Sequence, residues 1–284
     1  MTGRRASWIL VLPILAAGCA GGSGQPAAEK SAPATVQKQA AKPAAPRKVN
    51  KVVSAVAAPK RATKAKPAKT SKPRQRHRAL PWRPDGISEV AHVRVRRIGV
   101  YRSLAAKRAS LVLGKRDANG TQRTFLVRGT KGDWVRVFLP TRPNESQGWV
   151  KRRSVRVYTN GYRLVVRLRS HELRLWRGDR IVARYPVAVG TRSTPTPRGL
   201  YYIVELLKPS NPNGSYGPFS FGLSAHSNVL KRFAGGDGRV GLHGTNQPAL
   251  IGSNVSHGCI RLRNAAVRRL AKILPLGTPV YVRS

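Results

Sequence analysis

Apolar and polar positions follow three different rhythms along the chain. Residues 1–19 form one block: Arg4 and Arg5, then an apolar run from position 8 to 17, then Ala16, Ala17 and Gly18 ahead of Cys19. A charged start, a short apolar run and small residues are the layout of a secretory signal. The run falls short of the roughly 18 apolar residues of a membrane-spanning helix. Residues 20–86 have no apolar rhythm at all, being mostly Ala, Lys, Pro and Arg. Pro43, Pro46, Pro59, Pro67 and Pro73 break helices and the like charges repel, so this stretch is expected to be a disordered, extended tether.

Alternation begins near residue 90. His92-Val93-Arg94-Val95 and Trp134-Val135-Arg136-Val137-Phe138 alternate, while Phe125-Leu126-Val127 and Gly148-Trp149-Val150 read as short apolar strands. Turn clusters at 117–120, 129–133 and 142–145 separate them. Five or so strands within 90–158 predict a small β-barrel, with Trp134 and Trp149 packed in its core.

Residues 160–284 predict a mostly β domain with one helix. Strands are expected at 162–168, 172–176 and 181–189, the last two joined by a hairpin at Gly178-Asp179. Another follows at 201–207. The stretch 208–237, rich in Gly, Pro, Ser and Asn, reads as one long working loop or lid. A short strand at 238–243 leads to His243. Asn264 looks like an N-cap, and Val267, Leu270, Ala271 and Leu274 recur at i, i+3, i+4 and i+7, the stripe of an amphipathic helix. Pro275 and Gly277 stop it, and 280–282 returns to strand.

Charge narrows the setting. Fifty-four basic against 10 acidic residues give a formal net charge of +44, which calls for a polyanionic environment: nucleic acid, anionic lipid or an acidic wall polymer. The export signal argues against nucleic acid. The tether is then a solvated spacer, or a spacer that also binds wall polymer or lipid head groups.

The candidate chemistry lies at two cysteines, Cys19 and Cys259. Cys19 belongs to the signal. Cys259 stands between glycine-containing turns, Gly241-Leu242-His243-Gly244-Thr245 and Val255-Ser256-His257-Gly258-Cys259-Ile260-Arg261, each carrying a histidine. A thiol has a pKa near 8.5 and needs an imidazole to become a ready nucleophile, and the pair can rest as thiolate and imidazolium. Backbone N–H groups of His257, Gly258 or Cys259 are candidate donors to an oxyanion. Zinc spacings are not met, no phosphate-binding glycine loop is evident, and no cofactor or metal is expected. His77, His92, His171 and His226 have no such surroundings and read as structural or surface residues.

Three resemblances organise these motifs. The signal ending in Cys19 resembles that of a bacterial lipoprotein, with Ala16 where Leu is commonest. This implies a lipidated Cys19, membrane attachment and a place in the cell envelope facing the wall. Gly132-Asp133-Trp134-Val135-Arg136-Val137 and Gly148-Trp149-Val150-Lys151 resemble bacterial SH3-like domains. Finally, Val187-Ala188-Val189-Gly190, Thr194-Pro195-Thr196-Pro197-Arg198-Gly199, Tyr216-Gly217, His243-Gly244-Thr245 and Ser256-His257-Gly258-Cys259-Ile260-Arg261-Leu262 occur in order. This series is similar to the catalytic domain of L,D-transpeptidases, which cross-link peptidoglycan.

The last resemblance implies a β-sandwich with one main helix, preceded here by the SH3-like barrel and the tether. It implies Cys259 as nucleophile, His243 as general acid/base and the Gly244 carbonyl as the orienting third member. His257 and Gly258 stand with the catalytic residues, His257 either transferring a proton or shaping the turn, and Ser256, Arg261 and Tyr216 stand near the substrate, with Tyr216, Phe219 and Phe221 in a cap. The implied partner is the peptidoglycan stem peptide and no nucleic acid. The implied product is a bond between third-position residues of two stems. Carboxypeptidase or exchange activity on the same stems, and an inactive wall-binding lipoprotein, are the alternatives. A papain-like peptidase would usually place its cysteine before its histidine.

Overall fold

The computed structural model describes residues 85–233 and 235–284. The signal at 1–19 and all but the end of the tether at 20–86 lie outside the described residues.

The described residues before position 161 form seven strands: β1 (Ser88–Val93), β2 (Arg97–Val100), β3 (Leu111–Gly114), β4 (Thr124–Lys131), β5 (Trp134–Phe138), β6 (Gln147–Lys151) and β7 (Val155–Asn160). Five make an antiparallel sheet in the order β6-β5-β4-β1-β7, and β2 pairs with β3 as a separate hairpin. Alternation fixes which face is buried. Val135 and Val137 of β5 point into a core with Ala91, Val93, Ile98, Val100, Phe125 and Val150. Trp134 and Trp149 point the other way. The expectation that they fill the core is corrected: each is half-buried, with Tyr101 edge-on to Trp134 at 4.9 Å and Arg136 over Trp149 at 5.8 Å.

The remaining strands are β8 (Tyr162–Arg167), β9 (Glu172–Arg177), β10 (Arg180–Pro186), β11 (Val189–Gly190), β12 (Gly199–Leu207), β13 (Ser220–His226), β14 (Arg239–His243), β15 (Asn254–Ser256), β16 (Ile260–Arg261) and β17 (Pro279–Arg283), with helix α1 (Asn264–Ile273). Eight of them form a mixed sheet in the order β10-β9-β8-β17-β12-β13-β14-β16. Strand β12 is its hinge. Gly199 to Tyr202 pair with β17, the residues from Ile203 on pair with β13, and the register shifts between Ile203 and Glu205. Such a shift bends a strand. Both halves and α1 contribute to one core that includes Leu164, Leu173, Tyr201, Phe221, Leu242, Val267 and Leu270. The chain is thus mostly β with one α-helix among the described residues.

Two expectations change here. The single loop expected at 208–237 is interrupted by β13, whose Phe221, Leu223 and Ala225 are core residues. Its central position in the sheet outweighs the Gly/Ser composition around it. The strand expected at 181–189 ends at Pro186, and Val189 instead pairs with Asn254 of β15. Asn264 is the first residue of α1, and Arg263 occupies the N-cap position without a side-chain cap bond.

The two sheets meet across a small apolar contact of Leu126, Phe138, Leu200, Tyr202 and Val204. Tyr202 donates its hydroxyl to the Phe138 carbonyl at 3.1 Å, and burial holds its phenol well above the usual range. The β5–β6 loop adds polar anchors. Arg142 donates to the carbonyls of Ser227, Leu230 and Asp237 at 2.7, 3.1 and 3.0 Å. Asn144 bonds both backbone groups of His226, each at 2.8 Å.

Candidate active site

Adjacent positions of the mixed sheet bring the motifs together. Strand β14 ends on His243 and pairs in parallel with β16, which begins just after Cys259. Leu242 lies beside Ile260 and His243 beside Arg261. Sheet pairing across 18 residues therefore sets the imidazole next to the thiol. Gly241 marks the meeting point. Its N–H donates to Cys259 Sγ at 3.3 Å. A Cβ at 241 would sit 3.7 Å from Sγ and 3.3 Å from His243 Cδ2.

The turn before Cys259 is built by Ser256. Its hydroxyl accepts from Gly258 N–H at 3.1 Å and donates to the Cys259 carbonyl at 2.6 Å. Gly258 has φ 114°, a region that favours glycine. Of the three amides considered for an oxyanion, that of Gly258 is thus engaged inside the turn. The Ser256 hydroxyl, read from the sequence as substrate-binding, has both of these bonds within the turn as well. Thr194 Oγ1 donates to the Ser256 carbonyl at 3.1 Å, so the Thr-Pro-Thr-Pro segment braces the turn from behind. His257 lies against Phe233, ring centroids 5.1 Å apart, and shares a cavity wall with the thiol.

His243 is buried, 3% exposed. Its Nδ1–H donates to the Gly244 carbonyl at 2.6 Å, which leaves Nε2 as the free acceptor. The carbonyl is itself held. Asn264 Oδ1 accepts from Thr245 N–H at 2.9 Å, and a Cβ on either Gly217 or Gly244 would collide with that oxygen. The residue expected to cap the helix therefore fixes the loop that orients the histidine. Tyr216 lies tilted against the imidazole, with centroids 4.8 Å apart and ring planes at 54°. Arg261 lines the same cavity, and its Nε is buried without a hydrogen-bond partner among the described residues.

Burial sets the resting protonation states. It lowers His243 from 6.5 to about 4, against the raising effect of the Gly244 carbonyl and with a small contribution from Arg261. It pushes the Cys259 thiol up, against the Gly241 N–H and Arg261. Both shifts favour neutral forms. Taken group by group, burial therefore works toward thiol and imidazole and against thiolate and imidazolium. Tyr216 is raised by burial and by Cys259.

The thiol opens on two cavities. One of about 80 Å³ is lined by Ser215, Tyr216, His243, His257 and Arg261, and one of about 150 Å³ reaches Glu205, Ser220 and Arg239. Cys259, Tyr216 and Phe233 line both. The sequence reading missed Glu205, Arg239 and Phe233. They come from strands and a loop distant in sequence, and no local motif marks them. His226, read as structural or surface, is buried and bonded through Nε2 to Asp237 at 3.0 Å.

A buried imidazole with its Nδ1 tied to a carbonyl thus lies on the same cavity as a free thiol. Residues 161–282 match the family described as the L,D-transpeptidase catalytic domain, YkuD. Two Bacillus proteins sharing the name "Putative L,D-transpeptidase YkuD" are similar to this chain. The Bacillus licheniformis protein is 42% identical over 121 residues, covering 43% of this chain and 65% of the relative. The Bacillus subtilis protein is 38% identical over 125 residues, covering 44% and 68%. The chain belongs to this family. It spans just under two thirds of the length of the first of these relatives. Among solved structures, an L,D-transpeptidase from Mycobacterium smegmatis overlays with a TM-score of 0.37 at 14% identity, over 58% of this chain and 92% of that one.

Proposed function

We propose that the protein is a peptidoglycan L,D-transpeptidase working through a Cys259 acyl-enzyme. The supporting observation is the convergence of Cys259 Sγ and the His243 ring at Gly241, with Nδ1 tied to the Gly244 carbonyl. Cys259 attacks the carbonyl of the third residue of a stem tetrapeptide while its proton passes to His243 Nε2. His243 then protonates the departing nitrogen of D-Ala. The amine of a second stem attacks the thioester, giving its proton to His243, which returns it to sulfur. An amide bond replaces the thioester, and no metal or nucleotide enters. The backbone N–H groups near Cys259 stabilise the tetrahedral oxyanions, and Arg261 receives a substrate carboxylate.

In the same reading Cys19 carries a lipid after export, and the 20–86 tether lets the catalytic unit reach an anionic wall. A multiply acylated terminus would hold it there, at roughly 0.8 kcal/mol per buried CH₂. The β unit at 90–158 is taken as SH3-like.

The test is to incubate the full-length protein with disaccharide-tetrapeptide and weigh the products. A dimer lacking one D-Ala supports transpeptidation. Loss of D-Ala alone assigns carboxypeptidase activity instead. Equal product from Cys259→Ala rejects the nucleophile.

A further inference from the structure

The larger of the two cavities at Cys259 contains an acid in a chain that has few. Ten acidic residues stand against 54 basic ones, yet Glu205 is buried, 6% exposed, and is the one acidic residue lining either cavity among the described residues. A buried carboxylate is expensive unless something compensates it. Its compensation is incomplete. Oε2 accepts from Asn119 Nδ2 at 2.7 Å, while Oε1 has Arg239 Nε only at 4.0 Å. The same guanidinium also reaches Asp237 at 3.7 Å. The guanidinium is thus shared between the two carboxylates, and neither holds it at hydrogen-bond distance.

The sheet aims the Glu205 carboxylate at the nucleophile. Glu205 of β12 pairs with Gly222 of β13, Gly222 pairs with Gly241 of β14, and Gly241 donates to Cys259 Sγ. Directly paired residues present their side chains on one face of a sheet. A Cβ on Gly222 would collide with Glu205 Oε1, and a Cβ on Gly241 would sit against Sγ. Carboxylate and sulfur therefore flank a strip of bare backbone, with about 5 Å between its two strands. The other cavity is cationic, with Arg261 in its wall. The two openings at one thiol thus differ: one has a carboxylate beside a guanidinium, the other a guanidinium and no carboxylate.

We propose that the larger cavity is the acceptor subsite and that Glu205 receives the acceptor's amine. This rests on the transpeptidase reading and specifies its second substrate as a primary amine that is cationic in solution. Glu205 draws the ammonium in. After the ammonium loses one proton to solvent, an N–H of the neutral amine donates to Oε1 while the lone pair attacks the thioester carbon. The C–N bond forms, the C–S bond breaks, and the remaining proton travels from nitrogen to sulfur through His243. Asn119 and Arg239 hold the carboxylate in place.

Full-length wild type, Glu205→Gln, Glu205→Asp and Asn119→Ala are compared at pH 7 with saturating tetrapeptide donor. Acyl-enzyme formation is followed by intact mass. Transfer is measured to Nα-acetyl-lysine amide, a cationic amine, and to hydroxylamine, largely neutral at that pH. The expected result for Glu205→Gln is an acceptor KM about tenfold higher for the lysine amide. Acylation rate and hydroxylamine KM stay within twofold. Glu205→Asp recovers part of the loss, and Asn119→Ala changes the lysine-amide KM less than Glu205→Gln does. An unchanged lysine-amide KM, an equal loss in acylation, or full reproduction of the effect by Asn119→Ala overturns the assignment while leaving the transpeptidase reading intact. Absence of any acyl-enzyme in wild type overturns both.

Discussion

Arg142 and Ser227, 85 positions apart, are joined by a guanidinium-to-carbonyl bond of 2.7 Å. With its bonds to Leu230 and Asp237, Arg142 closes the neck of the loop that carries Phe233 to the cavities at Cys259. It lies outside the segment that matches the family. Arg142→Ala is expected to speed limited proteolysis within 227–238 several-fold and to destabilise the protein by about 1–3 kcal/mol, as charge-assisted bonds are lost. Arg142→Lys should recover little, because an ammonium cannot reproduce the planar fork. Unchanged proteolysis would show that the loop is held without it.

Gly241→Ala places a methyl 3.3 Å from the imidazole edge and 3.7 Å from the sulfur. Neither group can retreat far, since His243 is tied to Gly244 and the turn of Cys259 is bonded internally. A displacement of a few tenths of an ångström at reacting groups is expected to lower kcat by tenfold or more, with the far-UV spectrum retained. Steady-state rates on the stem peptide decide it.

Removing the Asn264 side chain leaves Thr245 N–H without its acceptor and frees the Gly244 carbonyl. Asn264→Ala is expected to lose about 1–2 kcal/mol of stability and about tenfold in kcat. The acid limb of the pH–rate profile should move upward as the ring loses its shelter. A stability loss with an unmoved profile would give Asn264 a purely structural part.

The neutral His243 makes stability depend on pH. Unfolded, the ring takes a proton near 6.5; folded, it does so only near 4. Between those values the unfolded chain holds more protons, so stability falls as pH drops through the window. The shift corresponds to about 3 kcal/mol at full effect. Urea midpoints at pH 7 and pH 4 should differ by less in His243→Gln than in wild type. The same burial predicts that Cys259 alkylation keeps rising above the ordinary thiol range of pH.

Local signals carried much of this architecture. The hairpin at Gly178, the amphipathic stripe of Val267 and Leu270, and the paired His243 and Cys259 turns are all visible over a few residues. What stayed hidden depends on partners far away. Strand β13 looks like loop because its order comes from β12 and β14 on either side. Trp134 looks like core because size alone does not say which face of β5 is inward. Asn264 has the composition of a cap, yet its oxygen is claimed by Thr245, 19 residues earlier. Glu205 has no motif around it, and only the row through Gly222 and Gly241 connects it to the thiol.

The upward push of burial on the Cys259 thiol has a consequence for durability. Oxidants attack thiolates far faster than thiols, and sulfinic and sulfonic acids are not readily reversed. Among the described residues Cys259 is the one cysteine, so no neighbouring thiol stands ready to rescue it as a disulfide. Burial that disfavours the charged sulfur therefore also shields the proposed nucleophile from peroxide.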